Sequence, residues 1–181
     1  MSRVMIHATV TVDGFMADLD GGIDWGFGLP SAPEDGELVR RVCEEIGAVV
    51  GGANKTQTIE DGEIPYGGAL QVPVYLMTHT EHEPVERDGP TFTFVVDDIR
   101  KAVRLAQQDA GDKWVSLLGG QIGRQCLALG LVDEIQLHVV PVVLGKGIPL
   151  LAGLESQLRL ERLETEAHAA EVHLRYRVLA V

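Results

Sequence analysis

The feature that most constrains the fold of this chain is a succession of short, β-branched runs that are apolar on nearly every position. They are residues 4–12 (VMIHATVTV), 48–50 (AVV), 72–78 (VPVYLMT), 91–96 (TFTFVV), 114–118 (WVSLL) and 135–143 (IQLHVVPVV). A strand with one wet face alternates apolar and polar residues. A strand without a polar face must be covered on both sides, which is the situation of parallel strands joined by helices. The intervening stretches supply those helices. Leu38, Val39, Val42 and Ile46 recur at three and four through residues 35–46. Ile99, Val103 and Ala106 follow Asp97 and Asp98, either of which can cap a helix, and residues 122–129 are closed by Gly130. Residues 157–166 and 171–180 alternate and are separated by AHAA, which predicts a terminal hairpin. The expected architecture is a single α/β domain over residues 1–181, three layers deep (α/β/α), with a mostly parallel central sheet and an antiparallel C-terminal hairpin. Residues 17–36, glycine-rich and carrying Trp25 and Phe27, read as one long loop.

Charge narrows the function. Fifteen Lys and Arg face 27 Asp and Glu, a net charge of -12, so the surface repels nucleic acid, and no basic patch with interleaved aromatics offsets it. No apolar run approaches the ~20 residues of a membrane span, and the first residues lack a signal core, so a cytoplasmic protein is expected. Two cysteines, Cys43 and Cys126, are too few for a disulfide framework and read as small buried hydrophobes.

Three predicted strands end in features suited to an anion. Leu118-Gly119-Gly120-Gln121-Ile122 runs from a strand through glycines into a helix start, where backbone amides can point at a phosphate. A flexible exit from a buried strand explains the same glycines equally well. Gly51-Gly52-Ala53-Asn54-Lys55-Thr56 resembles a phosphate loop without its required glycines, and Thr78-His79 closes the third strand. The six histidines show no metal-ligand spacing, so no metal is expected. No serine lies in a nucleophile elbow. Asp13, Asp24, Glu34 and Asp35 border the first strand and the long loop as candidate proton donors, against the plainer reading of solvated loop acids. His138, inside an apolar strand, reads as a satisfied core or interface histidine or as a ligand contact.

In combination, TVDGF, the tryptophan loop, VVGGANKT, VPVYLMTH, TFTFVVDDI and LLGGQIGRQCLALGLVDEIQLHVVPVVLGKGIPLL resemble the C-terminal domain family of bacterial riboflavin-biosynthesis deaminase–reductases, over nearly the whole chain. The resemblance implies a dihydrofolate reductase-like fold binding NADPH along the carboxyl edge of the sheet. It also implies reduction of a small heterocycle, at family level 5-amino-6-(5-phosphoribosylamino)uracil. Carried over, Leu118, Gly119, Gly120, Gln121 and Ile122 hold the pyrophosphate. Gly51, Gly52, Asn54, Lys55 and Thr56 touch the phosphates, and Thr78 and His79 flank the adenosine ribose. Ala8, Asp13 and Gly14 lie by the nicotinamide. Substrate lies between the loop of Phe15 and Trp25 and the strand of His138, with Asp13, Glu34 and Asp35 as the candidate catalytic acids. Relatives carry an arginine after the second strand that grips the extra phosphate of NADPH. Here Lys55 stands as its replacement, which leaves NADH open as a cofactor. A dihydrofolate reductase proper and a catalytically silent dimer are the alternative readings. The family resemblance also implies a homodimer formed near the C-terminal strands.

Overall fold

The computed structural model describes residues 2–29, 32–53, 65–68, 70–86 and 89–179. In chain order its elements are β1 (Val4–Thr11), β2 (Phe15–Ala17), α1 (Pro33–Glu45), β3 (Ile46–Gly52), β4 (Val74–Thr78), β5 (Val85–Glu86) and β6 (Thr91–Val96). They continue with α2 (Ile99–Ala110), β7 (Trp114–Leu117), α3 (Gly120–Ala128), β8 (Glu134–Val140), β9 (Ile148–Pro149), β10 (Arg159–His168) and β11 (Glu171–Leu179). Nine strands form one sheet in the order β10-β11-β8-β1-β7-β3-β4-β6-β5, while β2 and β9 make a separate ribbon. From β8 across to β6 every pairing is parallel. The hairpin of β10 and β11, and β5, add antiparallel edges. This is the expected mostly parallel sheet with its C-terminal hairpin.

Alternation along β1 sorts the core. Val4, Ile6 and Val10 pack with Ala102, Val103 and Ala106 of α2 and Ile122, Cys126 and Leu127 of α3. Met5 points the other way, to Val42 of α1, Val49, Leu70 and Trp114. Helices thus cover both faces, and each fully buried Val or Ile contributes roughly 1.5–3 kcal/mol. The side chain of Asp98 accepts a hydrogen bond from the Lys101 amide at 2.8 Å and starts α2.

Several boundaries differ from the sequence expectation, among them the hairpin's first strand, which runs Arg159–His168 and takes in two residues of the expected turn. α1 begins at Pro33, two residues early, because proline has no amide to lose at a helix start and the Asp35 carboxylate takes the Ala32 amide at 2.6 Å. The segment read as one loop also contains the end of β2, held by β9, and a 3-10 turn at Asp24–Gly26. α3 starts at Gly120 rather than residue 122. The strand expected over residues 135–143 stops at Val140, ahead of Pro141, and lies inside the sheet between β1 and β11.

Candidate active site

β1 pairs with β7 only from Val4 to Ile6, whereas its ladder with β8 continues to Thr11. Beyond Leu117 the chain turns away from β1 through Gly119 and Gly120 into α3. A slot therefore opens in the middle of the sheet at its carboxyl edge. Thr9 is exposed there although it lies on a central strand, and Ala8 is half-buried. Gly119 has φ +90°, a conformation that favours glycine, and a Cβ on Gly120 would meet the Pro149 carbonyl oxygen at 2.4 Å. Both glycines are thus required by the fold itself. The N-cap of α3 is Gly119, which has no side chain to cap it, so the positive end of the helix dipole can meet an anion.

The parallel strands bring their ends to this same edge. Gly51 is buried and Gly52 exposed at the end of β3, beside Leu76 and Met77 of β4. Thr78 is half-buried, and its carbonyl accepts the Asp97 amide at 3.1 Å. His79 is exposed, with Nδ1 2.5 Å from the Asp97 carboxylate. Leu118 is half-buried, Gln121 exposed and Ile122 buried in the first turn of α3. Asn54, Lys55 and Thr56 lie outside the described residues.

On the α1 side of the sheet a line of polar side chains crosses four strands, from β7 to β11, and ends on α1. Ser116 Oγ lies 2.8 Å from the Tyr66 hydroxyl, which lies 2.9 Å from His7 Nδ1. His7 Nε2 is 2.7 Å from His138 Nε2, and His138 Nδ1 is 2.6 Å from His173 Nδ1. His173 Nε2 ends the line 2.9 Å from Asp35 Oδ1. His7, His138 and His173 come from β1, β8 and β11, which are neighbours in the sheet, so one face presents all three. Burial lowers the pKa of His7 to about 4. Burial, with His7 and His173 alongside, lowers that of His138 to about 3. Burial raises the pKa of Asp35, but the His173 hydrogen bond and the Ala32 amide outweigh it and hold the group ionised. With one proton per imidazole and an acceptor-only carboxylate at the end, every donor in the line points toward Asp35. Ser116 donates to Tyr66, Tyr66 to His7, His7 to His138, His138 to His173 and His173 to Asp35.

The remaining candidates divide by their bonds. Asp13 accepts from the Thr11 hydroxyl at 2.6 Å and from the amides of Leu144 and Gly145, which lowers its pKa and ties the turn after β1 to the loop after β8. Gly14, with φ +84°, completes that turn, and its carbonyl accepts the Leu150 amide. Phe15 is half-buried on β2. Trp25 is half-buried, and its indole N–H donates to the Gly22 carbonyl at 3.2 Å. Asp24 and Glu34 are exposed. His138, 2% exposed, has both ring nitrogens engaged, so it acts on anything in the slot only through His7. His7, Tyr66, Ser116 and His173 were not singled out by the sequence. The available signal was a lone histidine inside each of three apolar or alternating strands, and only the sheet order shows that they meet.

A mainly parallel sheet parted at its carboxyl edge, with a glycine pair opening a helix beside the gap, defines the dihydrofolate reductase-like class of α/β fold. Dihydrofolate reductase from Enterococcus faecalis, in complex with NADP(H) and RAB-propyl, superposes with a TM-score of 0.66 at 11% identity, covering 97% of this chain and 96% of that one. A protein from Shewanella sp. PV-4, assigned to riboflavin biosynthesis, superposes with a TM-score of 0.78 at 22% identity, covering 99% and 100%. The chain belongs to the RibD C-terminal domain family, which it matches over residues 2–174. Among curated relatives, the uncharacterized protein YwjB of Bacillus subtilis is 25% identical over 176 residues, 94% of this chain and 96% of the relative. No helix among the described residues is long and apolar enough to cross a membrane.

Proposed function

We propose that this chain is one reductase domain that uses NADPH to reduce a small pterin- or pyrimidine-like heterocycle. Membership of the RibD C-terminal family supports an oxidoreductase, with 5-amino-6-(5-phosphoribosylamino)uracil as the family-level substrate. The observation that carries the reading is the slot between β1 and the uncapped start of α3. In this reading a flat ring lies beside Ala8 and a pyrophosphate at Gly119-Gly120. NADPH, when bound, supplies the hydride. The chain's own part is to align the rings and hold a proton nearby. In this reading Gln121 and Ile122 offer first-turn amides to the pyrophosphate, and Gly51, Gly52, Asn54, Lys55 and Thr56 line the phosphates. Thr78 and His79 flank the adenosine ribose. Asp13 and Gly14 fix the turn beside the nicotinamide, Leu118 packs under it, and Phe15 and Trp25 cover the substrate. His7 and Tyr66 hold protons next to exposed Thr9, and Asp35 orders them through His173 and His138. Glu34 stays at the rim. A pterin reductase presents a free helix acid to its substrate, whereas Asp35 spends its oxygens on Ala32 and His173. That favours a heterocycle read by imidazole and hydroxyl groups.

The protein works as a cytoplasmic homodimer in this reading. Both cysteines are free, and burial pushes the Cys126 thiol up to about 12, as suits a reducing compartment. The test is a calorimetric titration with NADPH and with NADH, on the wild type and on Gln121→Glu. Micromolar NADPH binding, much weaker NADH binding and at least a tenfold loss in Gln121→Glu with an unchanged fold are expected, since a carboxylate there repels the pyrophosphate. Equal binding of NADH removes Lys55 from its role. If neither nucleotide binds to folded wild type, the reductase reading gives way to that of a silent dimer.

A further inference from the structure

The histidine line ends where the first turn of α1 meets the hairpin of β10 and β11, away from the slot, and a second histidine waits there. Asp35 Oδ1 lies 2.9 Å from His173 Nε2 and 3.4 Å from His168 Nδ1. The three atoms lie within 4.8 Å of one another. Asp35 is 3% exposed and His173 2%. His168 Nδ1 is, among the described residues, the one buried side-chain polar atom without a hydrogen-bond partner. Such an atom costs free energy unless something else satisfies it.

The surroundings are those of metal ligands. Bonds of about 2.0–2.2 Å to a tetrahedral ion set donor atoms about 3.3 Å apart, close to the spacing at Asp35 Oδ1. Two of the three are also held from behind by hydrogen bonds, as bound ligands generally are. The second oxygen of Asp35 accepts the Ala32 amide at 2.6 Å, and His173 Nδ1 lies 2.6 Å from His138. His168 Nε2 faces the Glu166 carboxylate at 3.6 Å. Glu34, Glu37 and Glu166, with Arg41 among them, line an adjoining groove of about 280 Å³, three carboxylates to one guanidinium, which leaves a net acidic approach for a cation. Two imidazoles and one carboxylate are too few oxygens for calcium or magnesium and suit a borderline ion. We propose that Asp35, His168 and His173 bind a divalent transition-metal ion of the zinc type, with a fourth position left for water or a ligand. Spacing along the chain does not reveal this site, because Asp35 is far in sequence from the hairpin.

The site has a consequence for the line. A metal on His173 Nε2 occupies the lone pair in place of a proton, so the proton moves to Nδ1 and is donated to His138. His138 in turn donates to His7, His7 to Tyr66 and Tyr66 to Ser116. Each imidazole keeps one proton, and the direction of donation reverses from the metal to β1.

The test uses the full chain, stripped with a chelator, without any nicotinamide cofactor. Cobalt(II) serves as the optical probe and zinc(II) as its competitor. One equivalent of cobalt with the visible bands of four-coordinate geometry is expected, displaced by zinc. His168→Ala, on a half-exposed hairpin position, should weaken binding at least a hundredfold with its far-UV spectrum unchanged. Glu166→Gln should weaken it about tenfold, and His79→Ala should have no effect. Nitrogen-15 spectra should show His7, which touches no metal, change from the Nε2–H to the Nδ1–H tautomer on adding zinc. Failure of cobalt to saturate, or binding that survives both His168→Ala and Asp35→Asn, overturns the proposal. So does a His7 tautomer that ignores zinc. None of these outcomes bears on NADPH binding, so the two readings fail separately.

Discussion

His7 sits on the central strand, 5% exposed, with both ring nitrogens hydrogen-bonded inside the fold. Its pKa falls from 6.5 to about 4 because burial disfavours the cation. Below pH 6.5 the unfolded chain takes up a proton that the folded chain refuses, so the native state is fully stabilised above that pH. It weakens as pH falls toward 4, by about 3 kcal/mol for this one group. Thermal melts between pH 7.5 and 4 should show that loss in the wild type and a shallower slope in His7→Leu. The variant should also melt lower at pH 7, because it leaves Tyr66 and His138 without their partner. An identical slope in the two proteins would remove His7 as its source.

Among the elements, α2 has a cap whose contribution can be isolated. Its interior packs Ala102, Val103, Ala106 and Ala110 against the sheet, while Asp98 stands exposed at its start and only accepts the Lys101 amide. Asp98→Ala should therefore cost about 1 kcal/mol. A guanidinium melt with an unchanged slope and a lower midpoint would measure it, and an unchanged midpoint would assign the helix start to its packing alone. This helix was legible in the sequence because cap and periodicity agree. The strands were legible for a related reason: runs such as TFTFVV and WVSLL have one stable destination, a sheet covered on both sides. The start of α1 differs from the periodicity because Pro33 and Glu34 read as loop residues until the amide of Ala32 is seen to need an acceptor. The glycine edge was visible as a motif, since a φ of +90° leaves a mark on residue choice. The line from Ser116 to Asp35 was not, because it depends on β11 lying next to β8 and β8 next to β1, a long-range order that local patterns do not encode.

At the level of the molecule, helical cover is thinnest over the β8 and β11 end of the sheet. Leu137 and Val139 of β8, with Val172, Leu174, Tyr176 and Val178 of β11, are half-buried or exposed on the side away from α1. Leu160 of β10 extends this patch. The outer edge is a poor partner for another strand. β10 carries charges along its length and a register shift between Arg162 and Glu164, both of which discourage pairing edge to edge. Association should therefore use the apolar face. Light scattering is expected to give twice the 19.6 kDa of one chain, and Leu174→Glu should halve that mass while leaving the fold intact. A monomeric wild type would show instead that the face is covered by something else. The parted ladder has a mechanical meaning as well. Between the leaf that holds β8 and β11 and the leaf that holds β3 and β4, the backbone stitching is three registers long, Val4 to Val115, Met5 to Ser116 and Ile6 to Leu117. One apolar core runs beneath both leaves, so whatever enters the gap bears on both at once, and its fit is set by the packing under each.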